Sequence, residues 1–467
     1  MLKDHYTRSF TKHVSALSKP LTAIVTYIII TLLFNLFGPW EYAGFNAAEV
    51  VLFMAAFLGL VIVGYIVGIR STIQPSAKAI RTKRVFFYFS IAIVVVIFFK
   101  ILLLVENLRN TPIVSLAVAL LDLGNTYKTA IEAQRLIAYQ EVSLIGQLNT
   151  LIGLGTMSVT VLGFYYFSEL SKLLKYLFVL MIVLIVSLFL LFRGTQIVFA
   201  NLFIYWVSVE AILRLRSGTP LFNRRTVLAS VAILGVLMII QMSRMNAYSY
   251  DASSLSTNRL LTLNTNHVLF RVLGSDIGLS VSLIVSYVSM GYYGLSLSFA
   301  EPFVWTYGLG SSFALSGYAE QYLKMDPQLN SSYPFRVEWA TRWPAMMYWQ
   351  TAFPWLASDL SYPGTLVFLG VVAYAYARAL KEAVLHNNLL SVVFFANLNI
   401  LWLFLPANNQ LMQERESAIA AILLTILWLA FHNRFNGPQV RAQEAWTSLG
   451  NLHSRGVWDG DGTTNDR

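Results

Sequence analysis

Long apolar runs separated by polar stretches recur along the 467-residue chain. Runs of about 17 to 23 residues are long enough to cross a hydrocarbon core of about 30 Å as α-helices. The pattern predicts ten spans, at residues 21–37, 47–69, 85–105, 149–167, 176–192, 195–213, 226–242, 363–380, 389–405 and 418–431. We therefore expect an all-α polytopic membrane protein.

A long interruption separates the seventh and eighth predicted spans. The chain then divides into a bundle of about seven spans in residues 1–242, a large loop in 243–362, a bundle of about three spans in 363–432 and a tail in 433–467. The tail is polar and predicted to be disordered, because it has too few apolar residues to build a core.

Two parts of the connecting sequence have apolar stretches of their own. Residues 277–298 contain Gly291, Gly294 and several Ser and Tyr residues, so we expect a re-entrant or interfacial segment rather than a span. Residues 106–146 alternate apolar and polar stretches, which fits amphipathic helices at the membrane surface or a plain helical hairpin equally well.

The charge distribution predicts an orientation. Only 12% of residues are charged and 57% are hydrophobic, unlike soluble domains, in which about a quarter are charged. Lys and Arg accumulate around the start of the first span and after the second and sixth, which places both termini in the cytoplasm and residues 243–362 outside. The net charge of +10 then reflects orientation and affinity for anionic lipids, with no nucleic-acid partner. The chain has no cysteine, so the loop has no disulfides.

Arg193 is the arginine with the most informative position. It lies where two long apolar runs meet almost without a loop. A charge at such a boundary is costly, and arginines there usually face a cavity or a partner. We therefore predict a functional role for Arg193.

Further basic residues fall in or near the large loop, against the usual charge bias. They are Arg244, Arg259, Arg271, Lys324, Arg336 and Arg342. A guanidinium has five donors in a rigid fork that suits phosphate oxygens. The group suggests a phosphate-bearing substrate, with snorkelling or surface salt bridges as the alternative for each residue.

Several residues of the loop are candidate proton acceptors. His267 is the only histidine predicted outside, and imidazole titrates near neutral pH. Glu301 lies in an aromatic segment that would partly desolvate it. Asp359 is expected instead to cap the eighth span, which has Pro363 near its start. Sequence does not choose among these and the remaining carboxylates, Asp251, Asp276, Glu320, Asp326 and Glu338.

No cofactor is predicted. The sequence has no His/Asp/Glu cluster with metal-ligand spacing, no phosphate-binding glycine loop with Lys and no Gly-x-Ser-x-Gly motif. The energy for a reaction would come from the substrate or a gradient, and a diphosphate-linked lipid would supply it as a leaving group.

Three motifs carry a family resemblance, together with residues 191–196. They are YVSMGYYGLS at 287–296, WTYGLG at 305–310 and WQTAFPWLASD at 349–359. Over residues 190–376 the chain resembles the Wzy-type oligosaccharide repeat-unit polymerases, which are similar in topology to the O-antigen ligases. Some of these polymerases carry paired Arg-x10-Gly motifs in outer loops. Here Arg135 with Gly146 and Arg224 with Gly235 have that spacing, which chance alone can give, and the large loop has none.

The resemblance implies a metal-independent inverting glycosyltransferase with a GT-C-like fold in the bacterial cytoplasmic membrane. Its substrate would be an undecaprenyl-diphosphate-linked oligosaccharide, its product a surface polysaccharide, and its expected partners membrane lipids, a chain-length regulator and a flippase. Arg193 matches the family arginine at the helix junction. The other diphosphate-binding candidates are Arg244, Arg259, Arg271, Arg336 and Arg342.

The resemblance also implies roles for other loop residues. His267 and Glu301 are candidates to help the acceptor hydroxyl attack the anomeric carbon. Tyr292, Tyr293, Trp305 and Tyr307 are expected to stack on sugar rings, although anchoring at the membrane interface is an equally ordinary role for aromatic residues.

Two other functions stay open. One is a ligase that transfers a finished glycan to an acceptor, and the other is a flippase for lipid-linked sugars. A flippase should carry charges midway through several spans, whereas Lys100 and Glu210 are the main interior charges here. This favours chemistry at the outer surface.

Overall fold

The structure, a computed structural model, describes residues 2–72, 82–109, 144–193, 197–221, 224, 226–233, 235, 260–345 and 350–432. Most of these residues are helical. Six long helices precede the large loop: α1 (Leu2–Phe37), α2 (Ala47–Arg70), α3 (Thr82–Arg109), α4 (Leu144–Tyr165), α5 (Lys172–Arg193) and α6 (Ile197–Ser217).

The rest of the described chain contains shorter helices and one more long one, Ala352–His386. The loop has α7 (Val268–Leu273), α8 (Ser275–Ser289), α9 (Gly291–Ser298), α10 (Phe313–Leu323), a 3-10 turn (Gln328–Ser331) and α11 (Tyr333–Thr341). After it come α12 (Ala352–His386), α13 (Leu389–Phe404), α14 (Gln410–Gln413) and α15 (Arg415–Phe431). Strands β1 (Trp40–Tyr42) and β2 (Leu261–Leu263) pair antiparallel.

Seven helices in the described residues are long and apolar enough to cross a membrane, within α1 to α6 and in α12. This confirms an all-α polytopic membrane protein. The ninth and tenth predicted spans correspond to α13 and α15, which are shorter. Of the seventh, residues 226–233 are helical and the end lies outside the described residues, as do the tail from residue 433 and most of 106–146.

The eighth predicted span starts earlier than expected. Its helix begins at Ala352, and Pro363 lies inside it. Ser361 has non-helical torsion angles (φ 61°, ψ 167°), which break the helix where the ring of Pro363 would clash with the carbonyl four residues before it. Two helical segments therefore meet at Ser361: the second has Pro363 in its first turn, as predicted, and the first, from Ala352, was not predicted.

The spanning helices alternate in direction, so the bundle has two faces. One, which we call the loop face, contains Phe37, Ala47 and Ala352 at the ends of α1, α2 and α12. The opposite one, the basic face, contains Arg216 in the last turn of α6, which donates to the Oδ1 atom of Asn387 after the end of α12.

Helices α2 and α12 form the closest packing in the bundle. A Cβ atom added at Gly64 would lie 2.1 Å from the carbonyl oxygen of Gly370, and one at Gly68 would lie 2.4 Å from that of Tyr374. Small residues let backbones of membrane helices approach in this way. The contact fixes α12, whose first turns carry residues of the candidate site.

On the loop face lies a layer with a small core of its own, which we call the loop layer (residues 40–42 and 260–345). Its buried side chains are Trp40, Leu261, Leu263, Phe270, Leu279, Met290, Tyr293, Val337 and Trp343. The strand pair joins the connection after α1 to the loop, with Trp40 opposite Leu263. The loop layer therefore has a hydrophobic core of its own, separate from the core of the bundle.

Helices α8 and α9 meet at a bend of 42° and lie across the loop face. Ser282 O accepts from Trp40 Nε1 over 2.9 Å, and at the other end Ser296 Oγ accepts from Asn46 N over 3.0 Å. Both partners belong to the connection between α1 and α2. Both contacts lie at the loop face, which is consistent with a re-entrant or interfacial segment, and the expectation that residues 277–298 do not form a span stays a prediction.

Candidate functional site

The first feature of the site is a loop held in place by a buried part of α12. We call residues 301–312 the ring loop. The Asp359 carboxylate accepts from Thr306 Oγ1 at 2.5 Å, from Gly310 N at 3.1 Å and from Ser311 N at 2.9 Å. Asp359 therefore fixes this loop, and the prediction that it caps the eighth span was wrong, because its carboxylate oxygens accept from the ring loop instead.

A second contact holds the other end of the ring loop. Arg336 of α11 donates from Nη2 to Pro302 O over 2.6 Å and from Nε to Ser331 O over 3.1 Å. Its Nη1 lies 3.5 Å from Glu301 Oε2, and the guanidinium lies 4.8 Å from the centre of the Tyr333 ring. Two predicted site residues, Arg336 and Glu301, are thus brought together.

Glu301 and Arg336 remain partly accessible, with 20% and 16% of their side chains exposed. Tyr333 lies under the guanidinium. Burial raises the pKa of its phenol, while the Arg336 cation opposes this in part. The pair is a structural ion pair that still has an open side.

Between these two contacts the ring loop presents exposed aromatic rings. Trp305 and Tyr307 are 56% and 60% exposed, and their ring centres are 4.7 Å apart. Positive φ angles at Tyr307 (58°) and Gly308 (81°) turn the backbone at this point. The predicted sugar-stacking role of Trp305 and Tyr307 stays a prediction, and the rings are accessible for it.

The other two predicted glycan-binding residues are buried. Tyr292 shares a hydrogen bond of 3.0 Å with the Thr31 hydroxyl, and Tyr293 donates to Ala43 O over 2.7 Å. Both side chains are fully inaccessible. Tyr293 also stacks on Tyr42, with ring centres 4.9 Å apart. In this structure they cannot stack on a sugar, because they pack the bundle and the loop layer instead.

His267 has a structural role in the loop layer. Its Nδ1 accepts from Leu269 N, as the N-cap of α7, at 3.2 Å. Its Nε2 lies 3.1 Å from Phe37 O and is the donor, because Nδ1 is already an acceptor. Both ring nitrogens are occupied, so the structure does not favour the prediction that His267 is a general base.

Of the remaining predicted arginines, the structure describes the side chains of two, both in the loop layer. Arg271 and Arg342 are exposed, and Arg342 ends α11 with a φ angle of 65°. Arg193 is the last residue of α5, which puts its backbone at the loop face. Its side chain, and all of Arg244 and Arg259, lie outside what the structure describes.

Sequence reasoning missed one arginine, Arg415, the first residue of α15. Arg415 is partly buried. Its guanidinium carbon lies 5.7 Å from the centre of the Tyr318 ring. Among the described residues, its side chain forms no hydrogen bond or ion pair. Segment 409–412 links it to the ring loop, since Asn409 donates to Ser311 O. Arg415 lies outside the large loop, just before the tenth predicted span. The charged residues before that span were the signal in the sequence that could have identified it.

A buried polar triad lies beside Arg415, within the spanning helices. Lys100 Nζ lies 2.7 Å from Glu416 Oε1 and 2.9 Å from Asn149 Oδ1, and Asn149 Nδ2 donates to Glu416 Oε2. Lys100 is 2% exposed. The interior lysine that the sequence identified is therefore neutralised by a partner, as is Glu210, which pairs with Arg214 at 2.6 Å.

The described residues contain no group of three or more His, Cys, Asp or Glu side chains that could hold a metal ion. Comparison with protein-family profiles, curated proteins and solved structures finds no match. What the fold establishes is the class, a polytopic helical membrane protein with a folded layer on one face. The family and the reaction stay predictions.

Proposed function

We propose that this chain is a membrane glycosyltransferase that polymerises undecaprenyl-diphosphate-linked oligosaccharide repeat units into a surface polysaccharide. In this proposal it is a metal-independent inverting enzyme of the bacterial cytoplasmic membrane, with about ten spans and a GT-C-like arrangement. Its partners are the lipid-linked glycan, membrane lipids, a chain-length regulator and a flippase. The motifs at 287–296, 305–310 and 349–359 support this family.

One observation carries the proposal: two adjacent aromatic rings are held exposed on a loop fixed at both ends. Asp359 holds one end and Arg336 the other. When the loop that carries exposed rings is already ordered, little conformational entropy is lost as the rings pack against the apolar face of a sugar. The paired Glu301 and Arg336 beside them supply the polar groups that a glycan site needs.

The proposed reaction is a single displacement at the anomeric carbon of the donor. The acceptor hydroxyl forms the new C–O bond as the bond to the lipid diphosphate breaks, and the hydroxyl proton passes to Glu301. Guanidinium groups hold the diphosphate and stabilise its developing charge. We assign this role to Arg415 beside the accessible loop arginines, because its donors are uncommitted among the described residues.

Charge supports the proposed orientation. Arg70, Arg214 and Arg216 lie in the last turns of α2 and α6 at the basic face, which the preference of Lys and Arg for the cytoplasm places inside. The loop layer then faces the periplasm or exterior. A lipid-linked substrate would reach it there from the outer leaflet.

A deletion strain tests the function. If the chain is the polymerase, its loss leaves single repeat units attached to the acceptor, and the wild-type gene restores the ladder of chain lengths. Loss of a ligase would leave lipid-linked polymer unattached. Loss of a flippase would leave unextended units on the cytoplasmic side. Either of the last two patterns would refute the proposal.

A further inference from the structure

We infer that α7 lies in the head-group region of the bilayer, with its apolar side chains in the acyl boundary and Arg271 at the lipid phosphates. The exposed apolar surface that enters the bilayer consists of Val268, Val272 and Leu273 of α7 and Ile277 at the start of α8. We call these four residues the α7 patch. They are 61%, 74%, 39% and 53% exposed. The inference rests on the membrane fold and does not depend on the proposed reaction.

The depth of α7 follows from its contacts with the end of α1. His267, the N-cap of α7, donates from Nε2 to Phe37 O over 3.1 Å. Just before it, Asn264 N donates to Pro39 O over 2.8 Å. Phe37 is the last residue of a helix that can span the membrane. These bonds place α7 level with the boundary between hydrocarbon and head groups.

The α7 patch is bonded to the end of a helix that can span the membrane and that exposes apolar side chains of its own. Phe34 and Phe37 in the last turn of α1 are 43% and 72% exposed, as expected for a spanning helix whose outer side faces acyl chains. Since α7 is bonded to the end of α1, its exposed apolar side chains lie at about the same level as these rings. The occupant that matches is the same bilayer.

The two sides of α7 differ in the way an interfacial helix requires. Phe270 is buried against α8, where a Cβ atom added at Gly278 would lie 2.7 Å from its ring. Val268, Arg271 and Val272 share another side, because residues three and four apart are neighbours on a helix. An exposed arginine among exposed apolar residues fits a helix that lies in the interface.

Arg271 then has a role other than the predicted binding of substrate diphosphate. Its aliphatic stem can lie along the apolar residues while the guanidinium reaches the phosphate layer. Phosphate oxygens suit the guanidinium fork, and anionic lipids strengthen the attraction. An exposed acid, Asp276, lies nearby in the first turn of α8. Its carboxylate accepts a hydrogen bond from Ser275 Oγ over 3.2 Å.

Because the chain has no cysteine, single labels can be placed in the full-length protein without a background. We would introduce Val272→Cys, attach a nitroxide, reconstitute the chain in lipid vesicles and compare collisions with oxygen and with a water-soluble nickel chelate. Leu52→Cys on α2, 73% exposed, is the lipid reference. Asp326→Cys in a polar turn is the water reference.

The expected result is that the label at position 272 collides several-fold more with oxygen than with nickel, as the label at position 52 does. A nickel accessibility equal to that at position 326 would overturn the inference, and so would protection from both reagents, because a protein partner would then cover the α7 patch. Ile277→Cys repeats the test at a second site if the Val272 variant does not fold.

A second arm tests Arg271. Adding phosphatidylglycerol to phosphatidylcholine vesicles should lower the nickel accessibility at position 272, and Arg271→Gln should abolish this lipid dependence. Arg342→Gln, which removes another exposed loop-face arginine, is the matched control and should leave it intact. Equal lipid dependence with and without Arg271 would remove this residue from the inference.

Discussion

Two pairs of aromatic residues in neighbouring parts of the loop layer have opposite environments. Tyr292 and Tyr293 are fully buried with both hydroxyls bonded, whereas Trp305 and Tyr307 are more than half exposed. Both pairs belong to the motifs that carry the family resemblance. The comparison teaches that such motifs combine residues that build the layer with residues free to meet a ligand, and only structure separates them.

The largest effect is expected for Tyr293→Ala. The ring fills the core of the loop layer between Tyr42 and Trp343, and truncating a large core aromatic costs about 3–5 kcal/mol. Thermal unfolding in detergent should show the loss. Tyr293→Phe is the control, and it should lose only about 1 kcal/mol for the bond to Ala43 O. Equal stability of wild type and Tyr293→Ala would contradict the packing role.

Asp359→Ala should have the next largest effect. It removes the acceptor of three hydrogen bonds to the ring loop, and leaving donors unpaired typically costs about 1–3 kcal/mol. We expect proteases to cut residues 301–312 at least tenfold faster while α12 stays folded. Asp326→Ala, in an exposed turn, is the control. Unchanged cleavage would show that Asp359 does not hold the loop.

A glycine contrast sharpens the same comparison. A Cβ atom at Gly291 would lie 2.2 Å from Pro406 O and 2.8 Å from Thr351 N, whereas one at Gly308 would meet nothing within 4 Å. Gly291→Ala should cost about 1–3 kcal/mol through overpacking. Gly308→Ala should cost about 1 kcal/mol, from its positive φ angle alone. Unfolding curves of both variants measure the two losses of stability. A larger loss for Gly308→Ala than for Gly291→Ala would contradict the prediction.

Trp305→Ala should leave stability within about 0.5 kcal/mol of wild type, because the ring is exposed. Its effect should appear in ligand binding instead. An aromatic contact contributes about 0.5–1.5 kcal/mol, so affinity for the repeat-unit oligosaccharide should fall about two- to tenfold, as measured by calorimetry. Trp339→Ala, 70% exposed on α11, is the control. Equal losses in both variants would show that Trp305 has no special role.

Much of the bundle was predictable, because a run of about 20 apolar residues has few stable alternatives to a spanning helix. Local sequence also favoured a re-entrant or interfacial segment at 277–298, and the structure shows two helices there that meet at a bend. The start of α12 was missed because its first turns, from Ala352 to the break at Ser361, precede the apolar run from which the span was predicted. Hydropathy alone does not distinguish a helical segment outside the membrane from an irregular polar loop.

The site was less predictable, because its contacts join residues distant in sequence. Lys100 and Glu416 are 316 residues apart, and nothing local to either residue names the other. Asp359 looked like a helix cap because its partners, 48 to 53 residues earlier, could not be identified. The fold gives several of the predicted site residues structural contacts, among them Tyr292, Tyr293 and His267.

The most direct test of the central claim uses the purified chain in vesicles with the lipid-linked repeat unit as the only glycan. The account predicts a ladder of lipid-linked oligomers and release of the lipid diphosphate, with a shorter ladder for the Trp305→Ala/Tyr307→Ala double variant. A folded wild-type chain that leaves the repeat unit as a single unextended species would contradict it.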